Sequence, residues 1–169
     1  MRNVDYLDVI AMATEKMTGD GVFLSVAGET PNTMTIGWGS IGYYWSRPVF
    51  TVIVRPQRHT HDLLAAAGEF TVSVPTTNPL LDELHFAGTQ SGADYNKFEG
   101  HGLTAAPALL VSAPIVKECG LHFECKVRLT QQMDANGMCG DILKSAYPKR
   151  DMHTMFFGEI VACYYTDDA

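Results

Sequence analysis

Between Asn3 and Thr18, the apolar residues Tyr6, Ile10, Ala13 and Met17 recur at helical spacing. This predicts an amphipathic helix capped by Asn3 and stopped by "TGDG" at residues 18–21. The pattern then turns extended. "VFLSVA" (22–27) reads as a strand, followed by the turn residues "GETPN". "TMTIGWGSI" reads as a second extended segment, and the β-branched run "PVFTVIV" (48–54) as a third. A short helix from about His61 to Ala67 ends at Gly68, and "EFTVSV" (69–74) is the next strand. Asn78-Pro79 opens another short helix, with Asn at the cap and Pro in the first turn, that ends near Gly88. A polar loop, "GTQSGADYNKFEGHG", follows.

The clearest alternation lies further on. Leu121, Phe123, Cys125, Val127 and Leu129 alternate with His122, Glu124, Lys126, Arg128 and Thr130. One packed face and one polar face is the signature of an antiparallel strand. "DANGMCGD" reads as a turn region and "TMFFGEIVACYY" (154–165) as the last strand. Six or more strands with only short helices between them predict a mainly β fold, an antiparallel barrel with helical insertions. No repeat or long linker interrupts residues 1–169, which read as one domain.

Composition narrows the function classes. Hydrophobic residues make up 46% of the chain, as in a globular protein. The net charge of −7 argues against nucleic-acid binding. The longest apolar runs, such as Val49–Val54, fall far short of a membrane span, and Asp5 and Asp8 spoil any signal peptide at the start. Cys119, Cys125, Cys139 and Cys163 form no C-x-x-C pair and read as free, buried thiols of a cytoplasmic protein. No metal-ligand spacing appears among the cysteines and histidines.

Gly37, Gly39 and Gly42 spell G-x-G-x-x-G, the fingerprint of a dinucleotide-binding turn. That motif must open a helix. Here "YYWSRPVF" follows, aromatic and β-branched, with Pro48 where a helix should be under way. The NAD fingerprint is therefore rejected. Two readings of the glycines stay open: a flat ring lying along "NTMTIGWG", or a barrel corner that needs flexible backbone. Of the neighbouring aromatics, Tyr43, Tyr44 and Trp45 read as core or dimer surface, and Trp38 as the residue to move toward a cofactor.

A second candidate is "VFTVIVRPQRHTHDLL". A strand runs into Arg55 and Arg58, and Thr60 stands where a helix cap belongs. Two guanidiniums, a hydroxyl and free helix amides on one spot suit a phosphate. Ser91 and Lys97, in "SGADYNKF", sit in a loop that could fold over the same anion. His59 could hydrogen-bond that phosphate and His153 could reach a bound ring, but for each the favoured reading is an ordinary polar contact instead.

Together "NTMTIGWGSIG", "RPVFTVIVRPQRHT", "GEFTVSVP", "SGADYNKF", "HFECKV" and "HTMFFGEIVA" resemble, in order, the flavin reductase-like family of flavoredoxin-type FMN-binding split β-barrels, from about Gly21 to Tyr164. The resemblance implies a split antiparallel β-barrel with short flanking helices, a homodimer, and FMN as cofactor. It implies that Asn32, Thr33, Met34, Thr35 and Trp38 line the isoalloxazine. Arg55, Gln57, Arg58 and Thr60 match the phosphate-binding turn, and Ser91 and Lys97 the loop closing on the cofactor. Ala93 stands where many relatives carry Arg, and Gln57 where Ser is common. The implied activity is that of an FMN-dependent oxidoreductase passing electrons to an acceptor, with no catalytic acid or base. The donor would be NADH, NADPH or a protein. The alternatives are an electron-transfer protein without its own NAD(P)H turnover and a flavin-binding sensor or storage protein.

Overall fold

A computed structural model of the chain describes residues 1–166. Its first helix, α1 (Tyr6–Thr18), follows a short strand, β1 (Arg2–Asn3). Asn3 pairs with Tyr164 in that strand, so the helix is capped instead by Asp5, whose carboxylate accepts from the Leu7 amide at 3.0 Å. The buried stripe is Val9, Ala13 and Met17, one residue off the expected face at its start.

Two hairpins follow. β2 (Val22–Val26) pairs antiparallel with β3 (Asn32–Ile36), and β4 (Gly39–Tyr44) with β5 (Arg47–Val54). The extended segment expected around "TMTIGWGSI" is thus two strands, broken at Gly37-Trp38. The break explains Gly39: a Cβ there would lie 2.7 Å from the Thr51 carbonyl oxygen and 3.1 Å from the Met17 sulfur. The β4–β5 turn places Trp45 and Ser46 at φ 52° and 59°, the positive angles of a two-residue hairpin.

α2 (His59–Ala67) leads into β6 (Glu69–Val74) through Gly68, whose φ of 66° ends the helix. α3 (Leu81–Thr89) begins later than expected. Asn78 accepts from the Leu80 amide, Leu80 itself holds the cap position, and the helix runs past Gly88. Two short strands, β7 (Ala105–Ala106) and β8 (Ile115–Val116), then pair with each other. β9 (Leu121–Gln132) and β10 (Thr154–Tyr165) form the long central pair of the main sheet. Between them lies a segment expected to be turn only. It contains a 3-10 turn (Ala135–Gly137) and the helix α4 (Gly140–Ala146).

The eight-stranded sheet runs β3-β2-β6-β9-β10-β5-β4, with β1 on β10, and every pairing is antiparallel. Hydrogen bonds do not close it from β4 back to β3, so the expected barrel is open along this path. The core lies between the sheet and α1, where Phe50, Phe70, Phe123 and Phe156 cluster with Val9, Ala13 and Met17. The polar face expected on β9 is buried at its start. His122 and Glu124 are 0% exposed. Glu124 accepts from the Leu109 and Leu110 amides and from the Tyr164 hydroxyl, while His122 meets Ser73 and Thr166. The 105–116 segment covers that end of the sheet, and hydrogen bonds satisfy the buried polar groups.

Cys119 and Cys125 are buried, Cys163 half-buried and Cys139 exposed, all four as free thiols; Cys139 departs from the expected burial because it caps the exposed helix α4. No helix among the described residues is long and apolar enough to cross a membrane.

Candidate functional site

β3 and β4 are the two edges of the sheet, and the chain passes directly from one to the other through Gly37 and Trp38. Beside that passage lies a cleft of about 230 Å³. Met34 to Trp38, Ile53 to Arg55, Arg58 and His153 line it. As an edge, β3 has a row of backbone donors and acceptors without a strand partner, which a flat heterocycle can use. Trp38 stands at the rim, 49% exposed, with its ring 5.5 Å from that of His153. Tyr43, Tyr44 and Trp45 are exposed on the β4–β5 hairpin rather than in the core.

A smaller cavity of about 90 Å³ adjoins the cleft, sharing Met34 and Arg58 with it. Gln57, His59, Thr60, residues 87–92 and Lys97 complete its wall. It sits at the start of α2. The His61 amide closes the first turn on the Arg58 carbonyl, which leaves the amides of His59 and Thr60 as open donors. Thr60 is not the expected cap. Arg58 holds the cap position without a side-chain cap bond, and the Thr60 hydroxyl accepts from the Asn32 amide at 2.8 Å.

The two arginines both line the cleft but differ in their partners. Arg58 is exposed, and its guanidinium has no hydrogen-bond or ion-pair partner among the described residues. Arg55 is taken up by the segment after α4. It is ion-paired with Asp151, donates to the Ala146 carbonyl at 3.0 Å and lies over the Tyr147 ring. The same Asp151 oxygen accepts from Gln57 at 3.3 Å, so Gln57 too faces α4's side of the turn.

Lys97 differs from the loop residue expected. It is 3% exposed, and its ammonium donates to the Ala87 carbonyl at 2.7 Å. Burial and the neighbouring Arg58 charge lower its pKa to about 8. The loop bearing Ser91 reaches the site because residue 92 is glycine: a Cβ there would lie 2.1 Å from the Asn32 carboxamide oxygen. Ser91 accepts from the Ala93 amide.

Of the residues assigned to the cofactor from the sequence, nine line the two cavities, Met34, Thr35, Trp38, Arg55, Gln57, Arg58, Thr60, Ser91 and Lys97, and the two histidines singled out beside them, His59 and His153, line them as well. Asn32 stands behind the wall, holding Thr60. The Thr33 side chain turns inward on the opposite face of β3, bonded to Ser25 and the Leu24 carbonyl, so only its backbone is available to a ligand. Sequence reasoning missed Tyr147 and Asp151, which carry no recognisable spacing and reach the site only through α4.

An open antiparallel sheet whose two edges meet beside a cleft, with a basic cavity at a helix start, defines a flavin reductase-like architecture. The chain belongs to the flavin reductase like domain family, which it matches over residues 16–169. It is 36% identical over 146 residues to an uncharacterised protein of Archaeoglobus fulgidus, covering 86% of this chain and 72% of that one. Among solved structures it resembles the flavoredoxin of Desulfovibrio vulgaris (25% identity, TM-score 0.69, 87% of this chain and 69% of the other). It is equally similar to the flavoredoxin of Methanosarcina acetivorans (25% identity, TM-score 0.68, with the same coverage, 87% and 69%).

Proposed function

We propose that the chain is an FMN-dependent oxidoreductase whose ring site is the cleft beside Trp38 and whose phosphate site is the cavity at the start of α2. One observation carries this reading. In a chain of net charge −7, the smaller cavity has Arg58 and Lys97 in its wall and no Asp or Glu. Spare cationic donors beside open helix amides fit a phosphate monoester. Met34 to Trp38 would hold the ring against the free edge of β3, at the seam of a split barrel.

The bound flavin would supply the two-electron redox chemistry. The chain's own contribution is to bind, orient and shield. Arg58, Lys97 and the amides of His59 and Thr60 anchor one end. Trp38 and His153 shape the exposed side of the cleft, through which a donor such as NADH, NADPH or a reduced protein would approach. The likeness to flavoredoxins keeps a second reading, an electron carrier, beside the enzyme. A homodimer joined through the exposed aromatic hairpin Tyr43–Trp45 belongs to the same proposal.

The test is a titration of the purified chain with FMN, FAD and riboflavin, followed by anaerobic addition of NADH or NADPH to the FMN-loaded protein. FMN should bind in preference to both others, and bleaching by a nicotinamide identifies the enzyme. Absence of FMN binding defeats the proposal. Bleaching by a protein donor alone selects the carrier.

A further inference from the structure

The segment between β9 and β10 packs against Arg55 and His153, which line the cleft, and its helix α4 buries none of its own residues. Tyr147, immediately after it, is nonetheless 4% exposed. Its ring lies beneath the Arg55 guanidinium, 5.4 Å from centroid to Cζ, and meets the His153 ring edge-on at 5.4 Å. Its hydroxyl is 2.7 Å from Nδ1 of His153 and 3.3 Å from the sulfur of Met133. The hydroxyl has one proton and two candidate acceptors. Were Nδ1 protonated, it would donate to the hydroxyl and leave the hydroxyl only the thioether, a weak acceptor; with Nδ1 unprotonated the hydroxyl donates to a strong acceptor, and this arrangement uses the better bond. Burial raises the Tyr147 pKa, which keeps that proton in place. His153 then carries its own proton on Nε2. This nitrogen has no protein partner among the described residues, and the ring lines the cleft beside Trp38. Burial and the charges of Arg55 and Arg58, against the opposing charge of Asp151, lower the His153 pKa to about 4, so the ring is neutral at physiological pH.

We infer that Tyr147 is a positioning residue. By donating to Nδ1 it fixes His153 as the Nε2–H tautomer and turns that ring into an uncharged hydrogen-bond donor facing the cleft. The group such a donor takes is a carbonyl oxygen on the molecule that exchanges electrons there. Only this last clause rests on the flavin reading; the tautomer does not. Arg55 supports the arrangement from behind by tying Asp151 and the Ala146 carbonyl, which bracket Tyr147 in sequence.

The test is nitrogen-15 NMR of the histidine-labelled chain without ligand near pH 7, with the His153 signals identified by their loss in His153→Gln. The wild-type chain should show a single neutral Nε2–H pattern. Tyr147→Phe should shift His153 to a mixture of both tautomers in the chain without ligand. Met133→Leu should leave the wild-type pattern intact. An Nδ1–H pattern in the wild-type chain overturns the inference even if Tyr147→Phe does not fold, and so does an unchanged pattern in a folded Tyr147→Phe. Failure of the wild-type chain to bind FMN, with the tautomer as expected, would overturn the proposed function and leave this inference standing.

Discussion

Arg55 and Arg58 leave the same turn and end in different company. Arg58 has no side-chain partner among the described residues, whereas Arg55 is committed to Asp151 and Ala146. Hydrogen bonds to charged groups contribute about 1.5–3 kcal/mol, so Arg58→Ala should weaken FMN by about tenfold or more while riboflavin, which lacks the phosphate, hardly changes. Equal losses for the two ligands would show that Arg58 does not face the phosphate. Lys97 sets a pH dependence. Its pKa is lowered to about 8 by burial and by Arg58, so it is cationic below that pH and loses its charge above it. FMN affinity should therefore fall as pH rises through about 8, riboflavin affinity should stay flat, and Lys97→Met should abolish the slope. Isothermal titration across that range checks all three, and a flat profile for FMN would remove Lys97 from the phosphate site.

At the scale of elements, β10 carries the tightest constraint. It bulges at Phe157/Gly158 against β9, and a Cβ on Gly158 would lie 2.5 Å from the Phe70 ring and 2.8 Å from the Cys125 Cβ. Gly158→Ala should cost about 1–3 kcal/mol, seen as a lower urea midpoint with an unchanged slope. The long strands were legible because their apolar runs are β-branched or alternate, whereas the two-residue strands β1, β7 and β8 carry no such pattern, and the α2 turn was legible because a strand, two arginines and a helix start follow one another in sequence. What stayed hidden has physical causes. The polar face of β9 gave no sign of burying His122 and Glu124, because alternation along a strand does not show that the neighbouring 105–116 segment folds back over that face. α4 was invisible because a helix with no buried residues leaves no apolar period to read. For the same reason Arg55 read as a phosphate ligand: its partner Asp151 arrives from that unread segment.

The whole molecule should respond to acid in a defined window. Burial holds both His122 and His153 at about 4, against an ordinary value of about 6.5. Between those values the unfolded chain binds more protons than the folded one, so stability falls as pH drops from about 6.5 toward 4. Two carboxylates extend the loss to lower pH. Burial pushes Asp151 up, but hydrogen bonds led by Arg55 hold it below its ordinary value; at Glu159 the Arg47 hydrogen bond dominates in the same direction. Stability carried by depressed carboxylates is present above their unfolded pKa and disappears as pH falls through the folded one. Thermal melts across this range should show a steady decline beginning near pH 6.5, and a melting temperature constant down to pH 4.5 would contradict the buried, neutral histidines.

The chain has only two tryptophans, and they occupy different surfaces: Trp38 on the rim of the cleft, Trp45 at the tip of the aromatic hairpin. This makes the protein its own optical instrument. A flavin absorbs where tryptophan emits, so a ring seated against Met34 to Trp38 would quench the Trp38 emission strongly. Trp45 would answer to a different event: if a second copy covers the hairpin, as proposed, its emission should shift to the blue as water is excluded. In Trp38→Phe the quenching amplitude should collapse while the concentration-dependent blue shift persists, and in Trp45→Phe the reverse should hold. Cofactor loading and self-association can then be followed separately in one cuvette, without a label, and a quench that survives Trp38→Phe at full amplitude would place the ring elsewhere.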